Sequence, residues 1–163
     1  MLQTGDRIVY PMHGAGVVAG VEECEVLGEK RSYYVIHMPM GNMKMMVPTD
    51  SVEAIGIRNI IPVEKVGAVQ KVLEDKPYRI TGSWNKRFHA NLERMKNGDI
   101  CSVAAVARDL ILQDRKRRVS SGERRLLDLS MQILVSELVY ACDKEPKDVE
   151  QWIGRVLDTN KFA

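Results

Sequence analysis

The apolar pattern of this chain changes period once, at Ile61-Pro62, and that change limits what each side can form. Before it, short apolar runs are cut by glycine. Arg7-Ile8-Val9-Tyr10 stops at Pro11, His13-Gly14-Ala15-Gly16 reads as a turn, and Val17-Val18-Ala19-Gly20-Val21 resumes the run. Leu27-Gly28-Glu29 reads as a hairpin turn into residues 32–38, and Met40-Gly41-Asn42 as the turn before Met43-Lys44-Met45-Met46-Val47-Pro48. Runs of this length and spacing predict short antiparallel strands bent into a small barrel. Gly14 and Gly16 do not make a phosphate loop, because no G-K-S/T follows them and no helix begins there. Hairpin glycines account for them better.

Beyond Ile61 the period is helical. Pro62 suits a first helical position, and Val63, Val66, Val69 (or Gln70) and Leu73 draw a stripe that Glu74-Asp75-Lys76-Pro77 breaks. Ser83 is placed to cap a helix whose stripe is Trp84, Phe88, Leu92 and Met95, closed by Asn97-Gly98. Asp99 is placed to cap the next, with Ile100, Val103, Ala104, Ala107, Leu110 and Ile111 inward and Arg115-Lys116-Arg117-Arg118 at its end. Ser120-Ser121-Gly122-Glu123 fits a capping box and opens the longest helix, which turns Leu126, Leu127, Ile133, Leu134 and Leu138 inward. Pro146 starts a last helix carrying Val149, Trp152, Ile153, Val156 and Leu157. The expectation is an α+β chain: a small SH3-like antiparallel barrel over residues 1–61, then a compact domain of about five helices over residues 62–163.

Composition narrows the function. Hydrophobic residues make up 45% and charged residues 28%, the balance of a globular protein rather than a disordered one. No apolar run approaches membrane-spanning length and the first residues have no signal-peptide character, so a cytoplasmic protein with no membrane partner is expected. Cys24, Cys101 and Cys142 are odd in number and widely spaced, with no C-x-x-C pair, which argues against a disulfide framework and a zinc site. No Cys–His–acid set stands in a recognisable context, so neither catalysis, a small-molecule substrate, a metal nor a cofactor is expected. The formal net charge of +2 conceals an asymmetry: residues 76–125 hold thirteen Lys/Arg against five Asp/Glu, a net of +8, while every other segment is negative. That block is either a phosphate-binding surface or a solvated helical face.

Trp84 lies inside the block. At a helix N-terminus, with Lys86 and Arg87 beside it, an indole suits a nucleic-acid backbone and its groove, because the helix end adds partial positive charge and free N–H groups. The same tryptophan also continues the stripe of Phe88 and Leu92, and the pattern alone favours a buried core residue, since a Trp in an amphipathic helix is usually inside.

The ordered motifs decide between these readings. Gly5-Asp6-x-Ile8-Val9-Tyr10-Pro11-x-His13-Gly14, Val47-Pro48, Trp84-x-Lys86-Arg87-x-x-x-Asn91-Leu92-Glu93, Arg108-Asp109-Leu110 and Ser121-Gly122-Glu123-Arg124-Arg125-x-Leu127 span nearly the whole chain. Together they resemble the CarD family of bacterial transcription regulators. The resemblance implies an N-terminal Tudor-like domain, shared with transcription-repair coupling factors, that docks on a lobe of the RNA polymerase β subunit. It further implies a helical domain that binds promoter DNA at the upstream edge of the melted bubble and modulates open-complex stability. On this basis Trp84 is the minor-groove wedge, with Lys86, Arg87, His89, Arg117 and Arg124 as DNA contacts. Cys24, Lys44, Met46, Val47 and Pro48 form the polymerase-binding set. Cys24 and Met46 depart from the family, where arginines help to hold polymerase, so this contact leans on apolar and main-chain interactions. His89 replaces a more basic residue of some relatives and is a weaker phosphate ligand at pH 7. The competing reading is an interaction adaptor whose barrel binds peptides or other proteins while the helices make no DNA contact.

Overall fold

A computed structural model describes residues 1–163. The strands β1 (Arg7–Tyr10), β2 (Gly14–Val26), β3 (Glu29–Met38), β4 (Met43–Pro48) and β5 (Arg58–Asn59) form one antiparallel sheet in the order β4-β3-β2-β1-β5. The fold is α+β as expected, but the sheet stays open where a closed barrel was anticipated. Closure would require its two edges to pair, and β5 is only two residues long. Leu27 and Gly28 both have left-handed φ values, +54° and +81°, as the tight turn of the β2–β3 hairpin requires. The first turn lies earlier than the sequence suggested: it occupies Pro11–His13, and Gly14 already pairs with Tyr10 as the first residue of β2. A single helical turn, α1 (Val52–Ile55), lies between β4 and β5 and ends at Gly56 with a left-handed φ of 89°.

After a 3-10 turn at Val63–Lys65 come α2 (Val66–Glu74), α3 (Trp84–Met95), α4 (Ile100–Lys116), α5 (Ser121–Cys142) and α6 (Pro146–Asp158). Two apolar clusters result. Ile8, Val18, Tyr34, Ile36, Met38 and Val47 fill one face of the sheet, and a cluster of 20 buried residues joins α2 to α6. The stripe residues Val69, Leu73, Met95, Val103, Leu110, Leu126, Leu134, Leu138, Ile153 and Leu157 are all buried in the second cluster. Asp99 holds the N-cap position of α4 but its carboxylate takes the Ser102 hydroxyl at 3.3 Å and caps no backbone N–H.

One helix reaches both units. Ser136 of α5 accepts the Ala15 N–H at 2.9 Å through its hydroxyl, in a buried position. Gly14 is required there twice over: its φ is +101°, and a Cβ would stand 2.7 Å from the Ser136 oxygen.

Candidate nucleic-acid interface

The interface is built where the first turns of α3 and α5 meet. Ser83 caps α3, its hydroxyl oxygen accepting the Lys86 N–H at 3.3 Å. Ser120, one residue before the serine that begins α5, caps that helix by accepting the Glu123 N–H at 3.2 Å. The two ends are tied by charge. Glu123 is 1% exposed and receives Arg87 Nη2 at 3.2 Å, while Arg87 Nη1 donates to the Gly82 carbonyl at 2.8 Å. The buried Nε of Arg87 has no acceptor. Trp84 rests on the joint: a Cβ on Gly122 would lie 3.3 Å from the indole Cζ3, so the glycine lets the ring close onto α5. The indole nevertheless remains 53% exposed. The stripe that allowed a buried tryptophan becomes interior only further along, at Met95, with Phe88 and Leu92 half-buried between.

The cationic candidates fall into two groups. Lys86, His89 and Arg117 are exposed, and none of the three forms an ion pair. Arg87 and Arg124 are engaged: Arg87 with Glu123, and Arg124 Nη2 with Asp114 at 2.6 Å. The backbone N–H of Val119, followed by the Arg124 guanidinium, holds the Asp114 carboxyl below the usual carboxylate range. Asp114 thereby pins the α4–α5 corner that carries the basic run. Arg87 and Arg117 line one cavity of about 620 Å³, with Arg79, Lys116 and Arg118 also on its walls. The structure does not set Lys86, His89 or Arg124 on those walls.

The second candidate set lies on the sheet. By register, Pro48 stands opposite Tyr33, which pairs with Glu22 on its other side, Met46 stands opposite Val35, and Cys24 opposite Arg31. Alternation along strands therefore sets Cys24, Lys44, Met46 and Pro48 on the face away from the sheet's core. Val47 points the other way and is 1% exposed. Its side chain belongs to the core, so only its main chain can meet a partner. Lys44 reaches Glu22 at 3.7 Å with both groups exposed, a weak surface pair. β4 has β3 on one side and no strand on the other.

Sequence comparison matches these two units separately. Residues 68–154 match the family described as "CarD, C-terminal domain", and residues 2–61 match "CarD-like/TRCF RID domain". The chain belongs to the CarD family of transcription regulators. Its relatives include "Putative transcription factor YdeB" of Bacillus subtilis (strain 168), 36% identical over 138 residues, which span 85% of this chain and 90% of that one. The transcription-repair-coupling factor of the same organism is 32% identical over 131 residues, 80% of this chain but 10% of that much longer protein. Among solved structures, the N-terminal domain of Myxococcus xanthus CarD is 36% identical and covers 36% of this chain and 79% of that domain, with a TM-score of 0.32. CdnLNt of Myxococcus xanthus is 41% identical over 37% of this chain and 86% of that one, with a TM-score of 0.33. No helix of this CarD-family chain is long and apolar enough to cross a membrane.

Sequence reasoning placed Glu123 in the capping box of α5 but not as the buried partner of Arg87, and it passed over Asp114; these are the acids that organise the corner. A signal existed for the first: Glu123 falls on the inward stripe of α5, three and four residues before Leu126 and Leu127, and a charge on an apolar stripe asks for a buried partner. Asp114 carried no such mark, because its partners come from the turn after α4 and from α5.

Proposed function

We propose that this CarD-family protein is a non-enzymatic regulator that bridges RNA polymerase and promoter DNA. Residues 1–61 dock on a lobe of the polymerase β subunit, and residues 62–163 bind double-stranded DNA at the upstream edge of the bubble in the cytoplasm. The observation that carries the reading is Trp84, half-exposed at the junction of two helix N-termini inside the net-positive segment. An indole held there can enter the minor groove and stack where a base pair has opened. Lys86 and Arg117 approach the flanking phosphates, with His89 as a weaker contact. The paired Arg87 and Arg124 hold the corner in shape and offer their remaining exposed edges. On the sheet, the free β4 edge offers main-chain hydrogen bonds to a polymerase strand, with Lys44, Met46 and Pro48 on that strand and Cys24 on the same face two strands away.

No catalytic group is needed for the effect. Docking raises the local concentration of a weak DNA-binding face, so that modest contacts become effective. A wedge that binds the opened junction better than closed duplex shifts the equilibrium by that difference alone. The test combines a pull-down on core polymerase with promoter opening measured with and without the protein. Capture by polymerase together with a changed open-complex lifetime supports the reading. Capture with no effect on melting supports the adaptor instead, for which the free β4 edge alone would suffice. Failure of both overturns the bridge.

A further inference from the structure

The α5 helix carries two buried glutamates, Glu123 and Glu137, each 1% exposed. They are fourteen residues apart, about 21 Å along a helix. Glu123 organises the Trp84 corner; Glu137 lies at the seam between the helices and the sheet. Arg58 of β5 places Nη1 and Nη2 each 2.7 Å from the two oxygens of Glu137, a bidentate pair. The remaining guanidinium hydrogens go to carbonyls: Nε and Nη2 to Gly98 at 3.1 and 2.7 Å, and Nη1 to Asn59 at 3.0 Å. All five N–H donors of Arg58 therefore have an acceptor. Glu137 Oε2 also takes the Ile61 N–H at 2.9 Å, at the point where the chain passes from one unit to the other.

This is a different object from a surface ion pair. A planar fork with every donor used has one geometry, whereas two long exposed side chains tolerate sliding. The fork joins β5, the turn after α3 and the C-terminal third of α5. Around it, Ser136 holds the start of β2, and the Arg7 guanidinium stacks 5.2 Å from the Tyr140 ring centroid. Helix α5 then continues as a rod to Gly122 beneath Trp84.

We propose that Arg58 and Glu137 form a positioning clamp that fixes the sheet and the Trp84 corner in one relative orientation. Neither residue contacts DNA or polymerase; they set the distance between the two binding surfaces. The functional part of this inference rests on the bridging role proposed above. A bridge with a rigid span gains avidity only when both ends can engage together, so loosening the span removes the gain without touching either end.

The experiment uses the full chain with Cys24, Cys101 and Cys142 replaced, and Glu25→Cys on the sheet and Glu150→Cys on α6 carrying spin labels; because Cys24 belongs to the polymerase-binding set, each variant is compared only with the parent in this same background. Both positions are exposed. In Glu137→Gln, one oxygen becomes an NH2 that faces the Arg58 donors, which breaks the fork at constant volume. Arg58→Lys supplies the charge without the fork and carries the test if the first variant does not fold. The expected result is a narrow distance distribution in the parent and one at least twice as wide in the variant. Binding to duplex DNA alone and to polymerase alone should each change less than about twofold, while the open-complex lifetime gained from the protein falls about tenfold. A distribution as narrow as the parent's overturns the clamp. So does a widened distribution with the lifetime unchanged, or a loss of single-partner binding as large as the loss of lifetime. If the parent has no effect on open complexes, the bridging role fails while the widths still decide whether Arg58 and Glu137 hold the two units together.

Discussion

The seam and the corner use charge in opposite ways. At the seam, Arg58 and Glu137 satisfy one another, the Gly98 and Asn59 carbonyls and the Ile61 N–H, and Glu137 is out of solvent. At the corner, Glu123 and Asp114 neutralise only Arg87 and Arg124, and leave Lys86, Arg117 and the indole of Trp84 facing outward. A fully matched pair, its acid buried and its arginine 30% exposed, gives a fixed geometry and has no free donor for a ligand. At the corner the Arg87–Glu123 pair is as deeply set as the seam pair but leaves the Arg87 Nε without an acceptor, and Lys86, Arg117 and the indole lie outside any ion pair. The difference separates residues that shape the molecule from residues that act, although both sets are arginines, acids and aromatics.

The comparison breaks first at the seam. Arg58→Ala leaves the Glu137 carboxylate buried without its partner, and should cost about 3–5 kcal/mol of stability in denaturant unfolding. A loss below about 1 kcal/mol would place Arg58 among ordinary surface cations. Trp84→Ala should do the reverse. Stability falls by about 1 kcal/mol or less, because a half-exposed ring forms few core contacts, while open-complex stabilisation falls by about 1–3 kcal/mol, the scale of one base–aromatic stack. A folding loss of about 3–5 kcal/mol with DNA effects intact would return the ring to the core.

Arg117→Ala sharpens the distinction among cations. An unpaired phosphate contact should lower the slope of log affinity against log salt by about one unit. Arg124→Ala, which must first release Asp114, should lower it less. The smallest effect concerns acid. Asp114 has its carboxyl held below the ordinary range, so the charged form is favoured in the folded state. Its stabilisation is complete above about pH 4, the unfolded value, and is lost as pH falls through the lowered folded value. Thermal unfolding followed from pH 5 downward should show a shallower decline in Asp114→Asn than in the parent. Equal slopes would mean that the Val119 and Arg124 contacts do not act on Asp114 in solution.

The sequence announced the helices well because their signals are local: a serine cap, a stripe, a glycine stop. Ser83, Gly98, Ser120 and Pro146 all stand where those signals put them or one residue away. It announced the sheet less well. Pairing of β1 with β5 joins residues about fifty apart over two positions, too little pattern to read, and the openness of the sheet depends on it. The seam was hidden for the same reason. Arg58 and Glu137 are 79 positions apart, and each alone looks like a solvated charge. Glu137 nevertheless sits between Leu134 and Leu138 on an inward stripe, which is the mark of a buried acid awaiting a cation. Val47 shows the converse error: the Val47-Pro48 motif is adjacent in sequence, but strand alternation sends one residue into the core and the other outward.

The unpaired edge of β4 has a cost in crowding. An edge that can receive a strand from a different protein can also receive the same strand from a second copy, the first step toward fibrous association. Lys44 lies near the start of β4, exposed and only weakly held by Glu22. When two such edges approach antiparallel in a register centred on it, two ammonium groups are forced together and the pairing is penalised. A heterologous strand with no cation at that position meets no such barrier. In that register the charge of Lys44 disfavours pairing of β4 with a second copy of itself.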